Sequence, residues 1–169
     1  KVIGADRLAA KGPGYLLRVE DDELDARVFE RHIVEASRAD GAHAHAATID
    51  LSERGLALWR GDAFSGFEFE DFTRAEISRL TAIRDTALEL RFGAMIASGR
   101  ERDAIGELER ALVNHPLREA LWRLLMLALY RAGRQADALR AYQRAASTLG
   151  EELGIEPGPE LRRLEEMIL

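Results

Sequence analysis

Residues 85–116 read DTALELRFGAMIASGRERDAIGELERALVNHP, and residues 119–150 read EALWRLLMLALYRAGRQADALRAYQRAASTLG. The second stretch echoes the first 34 positions later. Gly99-Arg100 recurs as Gly133-Arg134, Asp103-Ala104 as Asp137-Ala138, and Arg110-Ala111 as Arg144-Ala145. Class matches join them: Leu88 with Trp122, Leu90 with Leu124, Met95 with Leu129, and Leu108 with Tyr142. Each glycine separates two helical patterns, where the chain reverses and positive φ is cheap only for glycine. Ala104 and Ala138, one turn into the second helix, are small enough to let two helices approach closely. Leu108 and Tyr142 follow at i+4, and Ala111 and Ala145 at i+7, on the same face. Pro116 is placed to open the helix that follows at its first turn.

A helix–turn–helix unit of this period is similar to the tetratricopeptide repeat, which stacks on its neighbours and builds surfaces for other macromolecules. The eighth position of such repeats is usually small; here Phe92 and Met126 occupy it, so these units are specialised to pack in one context. Outward from the repeats, the spacing predicts helices over residues 72–98, 101–114, 117–132 and 135–149 or slightly beyond. A break at Leu153-Gly154-Ile155 and Pro157 precedes a last helix starting at Pro159, with Leu161, Leu164 and Ile168 on one face. Before the repeats, helices are predicted over 25–39 and 44–59, with Gly55 weakening the second. Gly41 and Ala46 repeat the Gly…Ala spacing of five, so these two form a third pair by pattern. Residues 62–71 form a loop whose Phe64, Phe67 and Phe69 are expected to fold back onto the helices. At the start, Gly12-Pro13-Gly14 is a turn between short strands near 7–11 and 15–19. The expected fold is all-α: a tetratricopeptide-like stack of three helix pairs with a C-terminal capping helix, preceded by an N-terminal β-hairpin.

Composition bounds the function. The chain has 169 residues, is 47% hydrophobic and 32% charged, and carries a net charge of −6. That charge disfavours stand-alone binding of nucleic acid, where phosphate contacts dominate affinity. No apolar run is long enough for a membrane span, so no membrane partner is expected. With no cysteine, disulfides and thiolate metal sites are excluded, and a cytoplasmic address fits. The chain opens at Lys1 without methionine or a signal-peptide pattern, and is expected to be a piece of a longer protein.

Catalytic chemistry finds little support. His43 and His45 are two apart; on a helix that turns them ~200° away from each other, and only in a loop could they share a metal ion. Gly61-Asp62-Ala63-Phe64-Ser65-Gly66 copies the glycine spacing of a phosphate loop, but Phe67-Glu68 replaces the Lys-Ser/Thr pair and no strand precedes it. No enzyme activity, cofactor or metal is expected. The repeat register does suggest a binding groove, turning Glu89, Ile96, Arg123, Leu127, Tyr130 and Arg131 toward it. Such a mixture of Arg, Tyr and aliphatic residues suits a peptide or partner helix. The competing reading makes Leu127 and Tyr130 core residues, covered by the last helix or the N-terminal pair.

Four stretches together resemble one family. They are Lys11-Gly12-Pro13-Gly14-Tyr15-Leu16-Leu17 followed by Leu24-Asp25-Ala26-Arg27-Val28-Phe29; Leu58-Trp59-Arg60-Gly61; His115-Pro116-Leu117-Arg118-Glu119 with the run from Leu125 to Leu139; and Glu152-Leu153-Gly154-Ile155-Glu156-Pro157. In order and spacing they resemble the bacterial transcriptional activator domain of the antibiotic regulatory protein (SARP) family. The resemblance implies that residues 1–19 are the wing hairpin of a truncated winged-helix DNA-binding domain and that residues 24–169 are the helical domain. Lys11 would sit where such wings carry a basic residue that reaches the minor groove; the other reading is a plain exposed hairpin lysine. Gly55 stands where the family usually has alanine. The implied role is the regulatory domain of a transcriptional activator, with duplex DNA reached through an upstream winged helix. The helical domain would serve dimerisation as a homodimer, interdomain contacts, or contact with RNA polymerase or another protein. The rival reading is a peptide-binding or scaffold module of a multidomain signalling protein.

Overall fold

The computed structural model describes residues 7–169; the part of the expected wing segment at 1–6 lies outside the described residues. Strands β1 (Leu8–Lys11) and β2 (Gly14–Leu17) pair antiparallel, from Leu8 opposite Leu17 to Lys11 opposite Gly14. Gly12 takes a φ of 58° at the first turn position, a conformation glycine accepts without penalty. Seven helices follow among the described residues: α1 (Asp25–Gly41), α2 (His45–Leu56), α3 (Asp71–Ala97), α4 (Glu101–Asn114), α5 (Glu119–Arg131), α6 (Gln135–Leu153) and α7 (Pro159–Ile168).

The 34-residue echo is a repeated backbone motif. At the end of α3, Arg100 N–H donates to the Met95 carbonyl at 2.9 Å and Gly99 N–H to the Ile96 carbonyl at 3.3 Å. At the end of α5, Arg134 N–H donates to Leu129 at 2.9 Å and Gly133 N–H to Tyr130 at 2.9 Å. Both are Schellman closures around a left-handed glycine, with φ of 80° at Gly99 and 75° at Gly133. The arginine after each glycine then clasps the aspartate three residues on, Arg100 to Asp103 at 3.3 Å and Arg134 to Asp137 at 2.7 Å. Ala104 and Ala138, one turn further, are fully buried.

The first pair uses the same closure in a different register from the one its glycine suggests. Ala44 N–H donates to Ala39 and His43 N–H to Asp40, each at 2.8 Å. The left-handed residue is His43, with a φ of 56°, not Gly41. The expected Gly41–Ala46 echo is therefore displaced by two residues. In the corrected register Thr48 matches Ala104 and Ala138, Ser52 matches Leu108 and Tyr142, and Gly55 matches Ala111 and Ala145. Thr48, Ser52 and Gly55 are all buried against α1. A Cβ on Gly55 would stand 2.8 Å from Ile33 Cδ1 and 3.2 Å from Phe29 Cδ2. Glycine here is a requirement of close helix approach, which answers the irregularity expected of helix α2.

Each pair's first helix packs on the next pair's first helix, and its second helix does the same: α1 and α2 on α3, α3 and α4 on α5, and α5 and α6 on α7. Helix α7 thus takes the place of the next first helix and closes the stack, burying Leu161, Leu164 and Ile168. The Gln135 side-chain amide also donates to the Ile168 carbonyl. The main core runs from the second half of α3 to α7, around Phe92, Met95, Leu108, Leu125 and Met126. A smaller core joins Phe29, Ile33, Leu80 and Ala87 with Trp59. Helix α3 contributes to both.

The end of α2 and the start of α5 depart from expectation. Helix α2 stops at Leu56, because Leu58 and Trp59 N–H groups turn to carbonyls three residues back, at 3.1 Å each. Helix α5 starts at Glu119, not 117; Pro116 lies in the preceding turn, where its carbonyl accepts the Trp122 indole N–H at 2.8 Å. Helix α6 runs slightly beyond Leu149, as expected, to Leu153 and ends on Gly154, with a φ of 68°.

Candidate partner-binding surfaces

The hairpin stands apart from the helical stack: among the described residues no helix packs on either strand. Its register puts Leu8, Leu17, Ala10 and Tyr15 on one face and Ala9, Leu16, Lys11 and Gly14 on the other. Leu8, Tyr15, Leu16 and Leu17 are exposed. A lone two-stranded hairpin is marginal in water, and this one is aliphatic on both faces. Arg18 N–H donating to the Arg7 carbonyl at 2.8 Å extends the ladder at its base, and the Arg7–Glu23 ion pair ties that base to the segment leading into α1. Lys11 is at the exposed tip and forms no ion pair with the described residues.

The six groove candidates separate in the structure. Ile96 is 1% exposed and belongs to the main core, so it does not face a partner. Its carbonyl, at the end of α3, accepts a hydrogen bond from Arg131 Nη1 at 3.2 Å, which ties Arg131 to the α3–α4 turn. Leu127 is half-buried against the core, while Tyr130 is 45% exposed. Glu89 and Arg123 do come together, lining a cleft of about 280 Å³ with Ala120, Pro159 and Leu161. Both are engaged: Arg118 reaches Glu89 at 2.6 Å and Asp85 at 2.7 Å, and Arg123 approaches Glu160 at 3.6 Å. The Glu119 carboxylate accepts the Gly158 N–H at 2.6 Å and fixes the entry to α7.

A larger cleft, about 490 Å³, lies at the N-terminal end, where no candidate was placed. Asp25, Phe29, Trp59, Arg60, Phe64 and Leu80 line it. Trp59 meets Phe29 edge-to-face at 5.5 Å, and the Arg84 guanidinium lies 4.7 Å from the Trp59 ring centre. Arg60 pairs with Asp25 at 2.8 Å across the mouth. The aromatic density of residues 59–72 was the signal for this surface. The loop folds back onto the helices only in part: Phe64 lines this cleft while 42% exposed. Phe67, Phe69 and Phe72 are 57%, 89% and 73% exposed. Phe67 and Phe69 sit in turns whose backbone is bonded locally, the Phe67 carbonyl accepting the hydroxyl of buried Thr73.

Charges at two clasps are tuned by their neighbours. The Arg134 and Arg140 guanidinium groups hold the Asp137 carboxyl below its usual range. For Tyr142, burial and then the neighbouring Glu165 push the phenol up. Arg91 bridges Glu53 of α2 at 2.8 Å and Glu107 of α4 at 2.6 Å. Burial works against its charge, but the two carboxylates outweigh that and hold it protonated.

Comparisons with known proteins agree on one family. The model of the bacterial transcriptional activator domain matches residues 24–169. The chain is 36% identical to the regulatory protein AfsR of Streptomyces griseus, over 100% of this chain and 17% of that protein. It is 39% identical to the transcriptional regulatory protein EmbR of Mycobacterium tuberculosis, over 96% of this chain and 42% of that protein. The chain therefore spans less than half the length of either relative. A solved structure of Mycobacterium tuberculosis EmbR in complex with a low-affinity phosphopeptide superposes with a TM-score of 0.89 at 36% identity, covering 96% of this chain and 43% of that one.

Proposed function

Because this chain belongs to the bacterial transcriptional activator domain family of SARP-type regulators, we propose that it is the regulatory part of a DNA-binding transcriptional activator. In this reading the helical stack at 24–169 works through protein–protein or interdomain contacts, and DNA is reached through a winged helix upstream of Lys1. The observation that carries it is the isolated hairpin. Leu8, Tyr15, Leu16 and Leu17 are exposed on both of its faces, with no helix of the stack against them. Such a hairpin gains stability by adding to a further sheet and core, as the wing of an upstream domain would. Lys11, at its tip, is free to approach a phosphate backbone or the minor groove.

The test compares residues 1–169 with the full-length protein on a promoter fragment selected by the latter. The full-length protein should bind specifically, with affinity falling as salt rises. Residues 1–169 alone should bind weakly or not at all. Specific nanomolar binding by residues 1–169 at moderate salt would sink the division of labour. Light scattering of both forms decides whether the stack serves a homodimer.

A second reading, a peptide-binding scaffold, draws support from the cleft at Glu89 and Arg123 and from the exposed Tyr130 further along α5. The solved EmbR complex contains a phosphopeptide, and a peptide ligand here would have to compete with existing pairs of Arg118, Arg123 and Arg131. A Tyr130→Ala change that weakens peptide binding without altering promoter activation would favour this reading.

A further inference from the structure

Between residues 61 and 73 the chain carries Phe64, Phe67, Phe69 and Phe72, four carboxylates (Asp62, Glu68, Glu70 and Asp71), and no Lys or Arg. Exposed phenylalanines usually belong to a segment without structure of its own; this one is braced. Thr73, fully buried, shares its hydroxyl between the Phe67 carbonyl at 2.7 Å and the Glu70 carbonyl at 2.8 Å. Phe67 N–H donates to Phe64 at 2.8 Å, and Glu70 N–H to Phe67 at 3.2 Å. The Glu68 carboxylate folds back to accept the Gly66 N–H at 2.6 Å. Phe64 itself holds a φ of 55°, a costly conformation for an aromatic residue, while its ring lines the larger cleft. A loop fixed in this way presents its rings to solvent with the ordering cost already met, which favours binding.

We propose that the loop at 61–73 is a preformed acidic–aromatic docking knob for a protein of the transcription machinery that offers an apolar groove rimmed by Lys and Arg. This rests on the activator reading above. Charge decides the occupant. Glu70 and Asp62 form no ion pair with described residues, and Asp71 has only an exposed contact to Arg74 at 3.4 Å. A second copy of the loop would meet it with like charge, whereas a basic rim would neutralise it. Alternation of acids with large apolar residues is also the composition by which flexible activation segments engage such grooves.

The experiment uses the full-length protein, its selected promoter, and RNA polymerase holoenzyme purified from the same organism. Two variants are made: Phe67→Ser with Phe69→Ser and Phe72→Ser, and Glu68→Gln with Glu70→Gln and Asp71→Asn. Both should keep the wild-type circular dichroism melt and promoter affinity. Both should lose about tenfold or more in promoter activation and in direct binding of the holoenzyme. The amide variant should also show a flatter salt dependence of that binding. Wild-type activation by both variants overturns the knob alone. Parallel loss of promoter affinity also overturns it, placing the upstream domain over the loop, as does loss of a wild-type dimer, which assigns the loop to a second copy. If the wild-type protein selects no promoter, the activator reading fails first and the knob with it.

Discussion

The first helix pair and the two that follow reach one geometry with different residues. In α3–α4 and α5–α6 the turn is made by Gly99 and Gly133, and the second helix enters on Ala104 and Ala138. In α1–α2 the turn is made by His43, and the contact face is Thr48, Ser52 and Gly55. The Arg–Asp clasps of the later turns have no counterpart, since Ala44 and Ala47 fill those positions. The motif is thus a backbone pattern plus a limit on side-chain size. The first pair satisfies the pattern with a strained histidine and compensates with an unusually close approach at Gly55.

The largest way to break this comparison is at the matched position of Gly55 and Ala111. Gly55→Leu must displace Ile33 and Phe29 from the small core and should cost about 3 kcal/mol. Ala111→Leu, at a half-buried site, should cost less than ~1 kcal/mol by the same principle; urea denaturation of both variants measures the contrast. Next comes the joint between pairs. Arg118→Ala leaves the nearly buried Asp85 without its partner and should lower stability by about 2 kcal/mol. Restoration by Arg118→Lys should be incomplete, because one ammonium cannot serve Asp85 and Glu89 as a guanidinium does.

Smaller and opposite in sign are the turn residues. Gly133→Ala should destabilise by about 1 kcal/mol, since alanine resists the left-handed conformation. His43→Gly should stabilise by about 0.5 kcal/mol, because it relieves the same penalty less the extra freedom of the unfolded chain. Thermal melts of the two variants should move in opposite directions. The smallest effect is acid sensitivity. Asp137 has its pKa depressed by Arg134 and Arg140, so its contribution is present above the unfolded carboxylate pKa of about 4. That contribution is lost as pH falls through the lower folded value. Hydrogen-exchange protection at residues 136–138 should therefore fall below pH 4 relative to residues 46–48, where no such clasp exists.

The repeats at α3–α6 were legible because glycine, small residues and apolar spacing coincide there; α4 spans 101–114 as its pattern predicts. The capping helix was legible from Pro159 and its apolar face. The register of the first pair was hidden because a histidine does the work of a glycine, and pattern reading follows residue identity instead of φ. The groove was legible only in part. Repeat register placed Glu89 and Arg123 in one cleft, but it also turned Ile96 outward, and no single-helix pattern reveals that neighbouring layers bury it. The exposure of Phe67 and Phe69 was not legible, because hydrophobicity predicts burial only where the backbone is free to turn the ring inward. Here the turn bonds at Phe67 and Glu70 hold the backbone of the loop, and only Phe64 reaches the cleft beside Trp59.

Helix α3 has 27 residues, about 40 Å of continuous rod. Leu80, Ala87 and Leu90 meet the small core, and Leu88, Phe92 and Met95 the large one. The two cores are therefore not separate bodies on a hinge but two hubs on one shaft. Ala87 belongs to one hub and its neighbour Leu88 packs on the other, so a change at this point of the shaft touches both.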